Sequence, residues 1–158
     1  MTEASSPPRP PEALFYHLER TALEAALPSL LERCLERGWR AVVRGTIEER
    51  LEMLDDHLWA YRDDSFLPHG RAQAGSAARQ PILLTTELGA PNQAQVLFLI
   101  DGASLDGAEG FQRDCVLFDG GDAGSLAHAR GQWKATKAQG LSATYWKQTE
   151  AGGWAKAG

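Results

Sequence analysis

Apolar residues recur along this chain with two different periods, and the two periods alternate. Short apolar runs at LFYHL (14–18) and RAVV (40–43) have the length and composition of buried strands. Between them Leu23, Leu27, Leu30, Leu31, Cys34 and Leu35 recur at helical spacing, which predicts a helix over 21–37. Thr21 and Glu24 make a Thr-x-x-Glu capping signal at its start, and Gly38 stands where a helix stops. Thr46 and Glu49 repeat the signal ahead of a second helix running toward Trp59. Strand, helix, strand, helix is the pattern of a parallel sheet, since a parallel connection needs a crossover long enough to hold a helix. After a loop rich in Gly, Ala, Arg and Gln at 70–80, ILLTT, AQVLFLI and RDCVLFD read as three further strands. A last helix is predicted over 122–139, ended by Gly140, and SATYW (142–146) reads as an edge strand. The proline- and serine-rich stretch 1–11 is expected to be a flexible leader, with the α/β domain at 12–147 and a tail at 148–158.

Composition changes this picture little. With 158 residues, 43% hydrophobic and 23% charged, the chain suits one domain with a real core. Its net charge of -5 opposes a phosphate backbone, so contact with DNA is expected to be indirect or confined to a local surface. No apolar run approaches the length of a membrane span and no apolar block follows a basic start, so no membrane partner and a cytoplasmic location are expected. Cys34 and Cys115 stand among apolar neighbours and read as buried thiols. His17, His57, His69 and His128 lack zinc-ligand spacing, so no metal or cofactor is expected.

Three groups of residues invite a chemical reading. FDGGDAG (118–124) joins a strand to a helix as phosphate loops do, but its acids oppose an anion, and a tight turn with Asp122 as helix cap accounts for it. Asp101 and Asp119 each end a strand, where carboxylates of α/β enzymes collect Mg²⁺, which makes a metal-dependent phosphoesterase the alternative function. Both also begin Asp-Gly turn dipeptides. In HARGQWKATKAQG, Arg130, Trp133, Lys134 and Lys137 fall at i, i+3, i+4 and i+7, a cationic stripe around an aromatic on one helical face. No acid occurs between Asp122 and Glu150, so an acidic chain keeps one positive surface, as an anionic partner requires.

LWAYRDDSFLPHG (58–70), with ARGQWKATKAQG and ATYW, resembles the chi-subunit family of bacterial DNA polymerase III holoenzyme, from about Leu14 to Lys147. The resemblance implies a single three-layer α/β domain with a mostly parallel, mixed sheet, similar to nucleotide-binding folds but without a nucleotide site or catalysis. It also implies a role linking the clamp-loader complex to the acidic C-terminal tail of single-stranded-DNA-binding protein, and pairing with the psi subunit or an equivalent clamp-loader component. Carried over position by position, the tail-binding residues would be Trp59 and Phe66, which form an apolar slot, together with Arg130, Trp133, Lys134 and Lys137. The family's ligand is an extended acidic peptide ending in Pro-Phe. Arg130 would hold its terminal carboxylate through a planar two-donor fork, and the lysines would attract its aspartates. Pro68 would stiffen the loop that carries Phe66. Asp63 and Asp64 are expected to turn away from the slot or to pair with Arg62 or Arg71.

Overall fold

A parallel sheet must be covered on both faces, and among the described residues helices and long loops do that. The computed structural model describes residues 12–18, 23–60, 69–71, 77–140, 142–150 and 153–157. The leader, Thr21, and Arg62, Asp63, Asp64, Phe66 and Pro68, for which the sequence raised expectations, lie outside the described residues. β1 (Glu12–Leu18) leads to α1 (Leu23–Glu36), and β2 (Ala41–Arg44) leads to α2 (Glu48–Trp59). β3 (His69–Arg71), β4 (Ile82–Thr85), β5 (Val96–Leu99) and β6 (Arg113–Asp119) follow. α3 (Ala123–Ala138) then crosses to β7 (Ser142–Gln148), and β8 (Trp154–Lys156) closes the order.

The described strands form one sheet in the order β3-β4-β2-β5-β6-β1-β7-β8. All neighbours are parallel except the antiparallel pair β7 and β8, so the sheet is mostly parallel and mixed, as expected. Alternation along the strands sorts side chains into two cores. Leu14, Val43, Ile82, Phe98 and Leu117 pack on one face with the apolar stripes of α1 and α2. Phe15, Val42, Leu83, Leu97 and Val116 face the other way, under α3 and the loops around Ala94 and Ala103–Phe111. The fold is therefore a three-layer α/β domain.

Local chemistry explains several joints. Gly38 ends α1 with a φ of 76°, a left-handed conformation that a side chain disfavours, and its N–H donates to the Leu35 carbonyl at 2.9 Å. Arg44, at the end of β2, is buried, and its Nη1 donates to the carbonyls of Ser104 and Asp106 at 2.9 and 2.8 Å. That guanidinium clamps the loop after β5 over the sheet. Cys34 and Cys115 are free and buried, and burial pushes the Cys34 thiol up to about 11, so both stay protonated core groups.

The structure corrects three expectations. SATYW is not an edge strand: β7 lies between β1 and β8, the strand Trp154–Lys156. The predicted loop over 70–80 contains most of β3, a three-residue strand too short to show periodicity. The capping box at Thr46 does not form. Ile47 takes the cap position without a side-chain bond, and the Thr46 hydroxyl donates instead to the Asp101 carbonyl at 3.3 Å. At the first helix Glu24 is drawn to Arg50 of α2.

The expected cap on α3 is present, with the Ser125 N–H donating to Asp122 Oδ2 at 2.8 Å. Those bonds to Ser125 hold the Asp122 carboxyl below its ordinary range. A depressed folded value means that the stabilisation is present at neutral pH and is lost as pH falls through that value. Asp122→Ala should therefore lower the melting midpoint at neutral pH, with the difference from wild type shrinking as the solution is acidified. A pH-independent difference between the two melting curves would show that the cap is not the cause.

Candidate functional site

The apolar floor of α3 turns its cationic stripe toward a pocket. Ala129 is buried against the sheet, and the next ridge of the helix, Leu126, Arg130 and Trp133, lines a depression of about 440 Å³. Its other wall comes from alternating residues of two neighbouring strands: His17 on β1, and Tyr145 and Lys147 on β7. Trp133 is held edge-on by Phe15, with centroids 5.4 Å apart at 76°, and by Tyr145, at 5.9 Å and 82°. One part of the indole thus belongs to the core while the rest faces the pocket. Lys137 sits with its ammonium 5.2 Å from the Trp133 ring centroid. Arg130 and Lys134 are exposed and make no ion pair among the described residues. Lys134 lies beside the pocket and does not line it.

His17, Tyr145 and Lys147 are site residues that the sequence reading missed. Their signal was the period-2 placement of Phe15 with His17 and of Tyr145 with Lys147, which puts each pair on the α3 face once β1 and β7 are known to be neighbours. His17 is buried, and its Nδ1 is hydrogen-bonded to the Tyr145 hydroxyl at 2.5 Å. The ring also packs against Phe118, with centroids 5.1 Å apart.

Trp59 is elsewhere. It ends α2, which belongs to the opposite core, and its ring rests on His69 of edge strand β3 at 4.4 Å, leaving 55% of the residue exposed. His69 is in turn held by Asp55, whose Oδ1 is 2.9 Å from its Nε2. The sheet separates Trp59 from Arg130 and Trp133, and β3 and β7 stand near opposite ends of the strand order. Trp59 therefore does not line the α3 pocket. Arg71, a suggested partner for Asp63 or Asp64, is paired with Glu48 at 3.0 Å and Glu52 at 3.7 Å.

Asp101 and Asp119 do line one depression, of about 560 Å³, at the ends of β5 and β6. Their carboxylates are already engaged. Asp101 Oδ2 accepts from Arg50 Nε at 3.1 Å, and Asp119 Oδ1 accepts from the Gly121 N–H at 2.8 Å. Asp101 and Gly102 both take positive φ, 52° and 80°, which is a turn geometry. Among the described residues no group of three or more His, Cys, Asp or Glu is placed to hold a metal ion. Sharing that depression is the one feature that fits the phosphoesterase reading, and both carboxylates are committed to the contacts above. In the FDGGDAG loop the Gly121 and Ser125 N–H groups are spent on Asp119 and Asp122, as a turn and cap require.

Gly120 bears directly on the α3 pocket. A Cβ at this position would fall on the His17 imidazole, which fills the space beside it. Gly120→Ala should push that ring toward the pocket and destabilise the fold by about 1–3 kcal/mol, the usual cost of overpacking. Thermal denaturation that shows no loss of stability would mean that the imidazole has room to move.

Two comparisons bear on this geometry. Residues 11–144 match the family model described as DNA polymerase III chi subunit, HolC. A probable DNA polymerase III subunit chi from Rickettsia prowazekii (strain Madrid E) is 36% identical over 90 residues, which is 57% of this chain and 54% of that relative. The matched stretch thus spans about half the length of this curated relative. Because the family model covers most of the described fold, from β1 through α3 and into β7, the chain belongs to the DNA polymerase III chi subunit family.

Proposed function

We propose that this chain is a non-catalytic accessory subunit of the replicative DNA polymerase holoenzyme that captures the acidic C-terminal tail of single-stranded-DNA-binding protein. In this reading the tail enters the pocket between α3, β1 and β7. The observation that carries it is Arg130, an exposed guanidinium without an ion pair among the described residues, at the rim of a pocket walled by Trp133 and Tyr145. An apolar terminal ring can rest on the edge-to-face pair of Trp133 and Tyr145, and the terminal carboxylate meets Arg130. Lys134, Lys137 and Lys147 add positive potential along a stretch of chain that contains no acid. A single pocket of this size supports an affinity in the micromolar range, roughly -8 kcal/mol.

The second partner, psi or an equivalent clamp-loader component, is assigned to the other face. Trp59 at 55% and Met53 at 64% are among the large apolar side chains left exposed, both on α2. A tryptophan half exposed beside an edge strand is the kind of anchor that protein interfaces use. Two partners on opposite faces can bind at once, which is what linking two assemblies requires.

Arg130→Ala separates binding from stability. Arg130 is solvent-exposed on a helix, so melting should shift by less than about 0.5 kcal/mol in stability. Tail affinity should fall by about 2–3 kcal/mol, roughly 30- to 150-fold, because the peptide's carboxylate loses its charged partner in a partly desolvated pocket. Calorimetric titration should also show weaker binding of a C-terminally amidated peptide and of either peptide at high salt. Equal affinities for acid and amide would remove the carboxylate role. Trp59→Ala, by contrast, should leave peptide affinity unchanged within about twofold, as expected for a distant site that does not couple. A large loss in that variant would return Trp59 to the tail site.

A further inference from the structure

The α1 face carries a second concentration of tryptophan and arginine, and neither the tail pocket nor the Trp59 corner accounts for it. Trp39 follows the α1 terminator, and two guanidinium groups stack near its ring, Arg37 at 5.1 Å and Arg113 at 5.0 Å from the centroid. Across the strand ends stands Trp146 of β7, whose Nε1 donates to Thr144 Oγ1 at 3.0 Å and so fixes the indole. Between them lies a groove of about 800 Å³. A smaller hollow of about 90 Å³ shares Arg37, Trp39 and Arg113 with the groove and brings in Arg33. Beyond it Trp154 of β8 meets Tyr16 edge-on, at 4.9 Å and 71°.

The charges in this groove have one sign to spare. Arg33 lies in the last turn of α1 and Arg37 directly follows the helix, its N–H donating to the Arg33 carbonyl at 3.2 Å, and both line the smaller hollow. Glu32 and Glu36 do not line it. Glu12 is the one acid in the lining of the larger groove, and it is bound to Arg113, with Oε1 2.9 Å from Nε and 2.8 Å from Nη2. The protein's net charge of -5 is thus locally reversed. A Trp–Arg ladder opposite an oriented indole suits a ligand that is flat and carries repeated negative charge.

We propose that this groove binds single-stranded nucleic acid, with bases stacking on the Arg37–Trp39 ladder and on Trp146 while Arg33 and Arg37 meet the phosphates. Unpaired bases all present a π-face, so such stacking needs no particular sequence. An acidic peptide would use the guanidinium donors but has nothing flat to place against the indoles. The site is independent of the tail pocket, which lies on the other face of the sheet, and it makes the contact with DNA direct where the net charge suggested an indirect one.

The test uses the full chain and a fluorescently labelled oligothymidylate of about 15 nucleotides, close to the upper site size of one binding module. Fluorescence anisotropy should report binding at low salt, accompanied by quenching of tryptophan emission. Two or three phosphate contacts should weaken it roughly 7- to 20-fold between about 50 and 200 mM salt. Arg33→Ala and Arg37→Ala change exposed side chains, so thermal melts should stay near wild type while each variant weakens binding about fivefold. Arg130→Ala should bind the oligonucleotide as wild type does. The proposal is overturned by no anisotropy change as protein is raised past the roughly 1–100 µM range of non-specific contacts. It is also overturned by a signal that Arg130→Ala abolishes and Arg37→Ala leaves intact. An acidic peptide whose binding depends on Arg37, where the oligonucleotide does not bind, would overturn it by giving the groove to a protein partner.

Discussion

Everything else in this molecule follows from the need to cover a parallel sheet on both faces. Parallel strands bury their side chains above and below, and the crossovers that join them supply the cover. Here the crossovers from β1 and β2 put α1 and α2 on one side, and the crossover from β6 puts α3 on the other. The placement of β1 between β6 and β7 is the central joint, because it sets Phe15 under Trp133 and His17 beside Tyr145. The walls of the α3 pocket are a direct consequence of that register.

The same constraint decides which aromatic residues can act together. Trp59 and Trp133 both belong to segments that carry the family resemblance, yet a buried sheet stands between them. A sequence shows that two segments matter without showing that they touch. The α3 stripe was legible because helical spacing alone places Arg130, Trp133 and Lys137 together. The opposite wall was not, since it needs the pairing of β1 with β7, which are separated by most of the chain and joined only through the strand order.

Much of the fold was legible for the same reason in reverse. Six strands, three helices and the Asp122 cap depend on local period and local hydrogen bonding, and those signals are strong in this chain. The misses were non-local. Thr46 has the residue type of a helix cap, but Asp101 offers its hydroxyl a partner across the sheet. Three-residue strands such as β3 and β8 exist because a neighbour offers a ladder, and their own sequences show no alternation. At the functional level, positive charge in an acidic chain was readable from the run without acids. The cations beside α1, Arg33, Arg37 and Arg113, stand outside that run among acidic neighbours and were not.

The central claim is that the acidic tail occupies the pocket of α3, β1 and β7 and leaves the Trp59 corner untouched. The most direct measurement is amide and side-chain chemical-shift mapping by NMR as an acidic peptide ending in Pro-Phe is titrated into the full chain. The account predicts that the largest shifts fall on the Trp133 and Tyr145 rings, the Arg130 guanidinium and the β1–β7 pair around His17, with the Trp59 indole and His69 unmoved. Shifts concentrated on Trp59, His69 and their neighbours, with α3 unchanged, would contradict it.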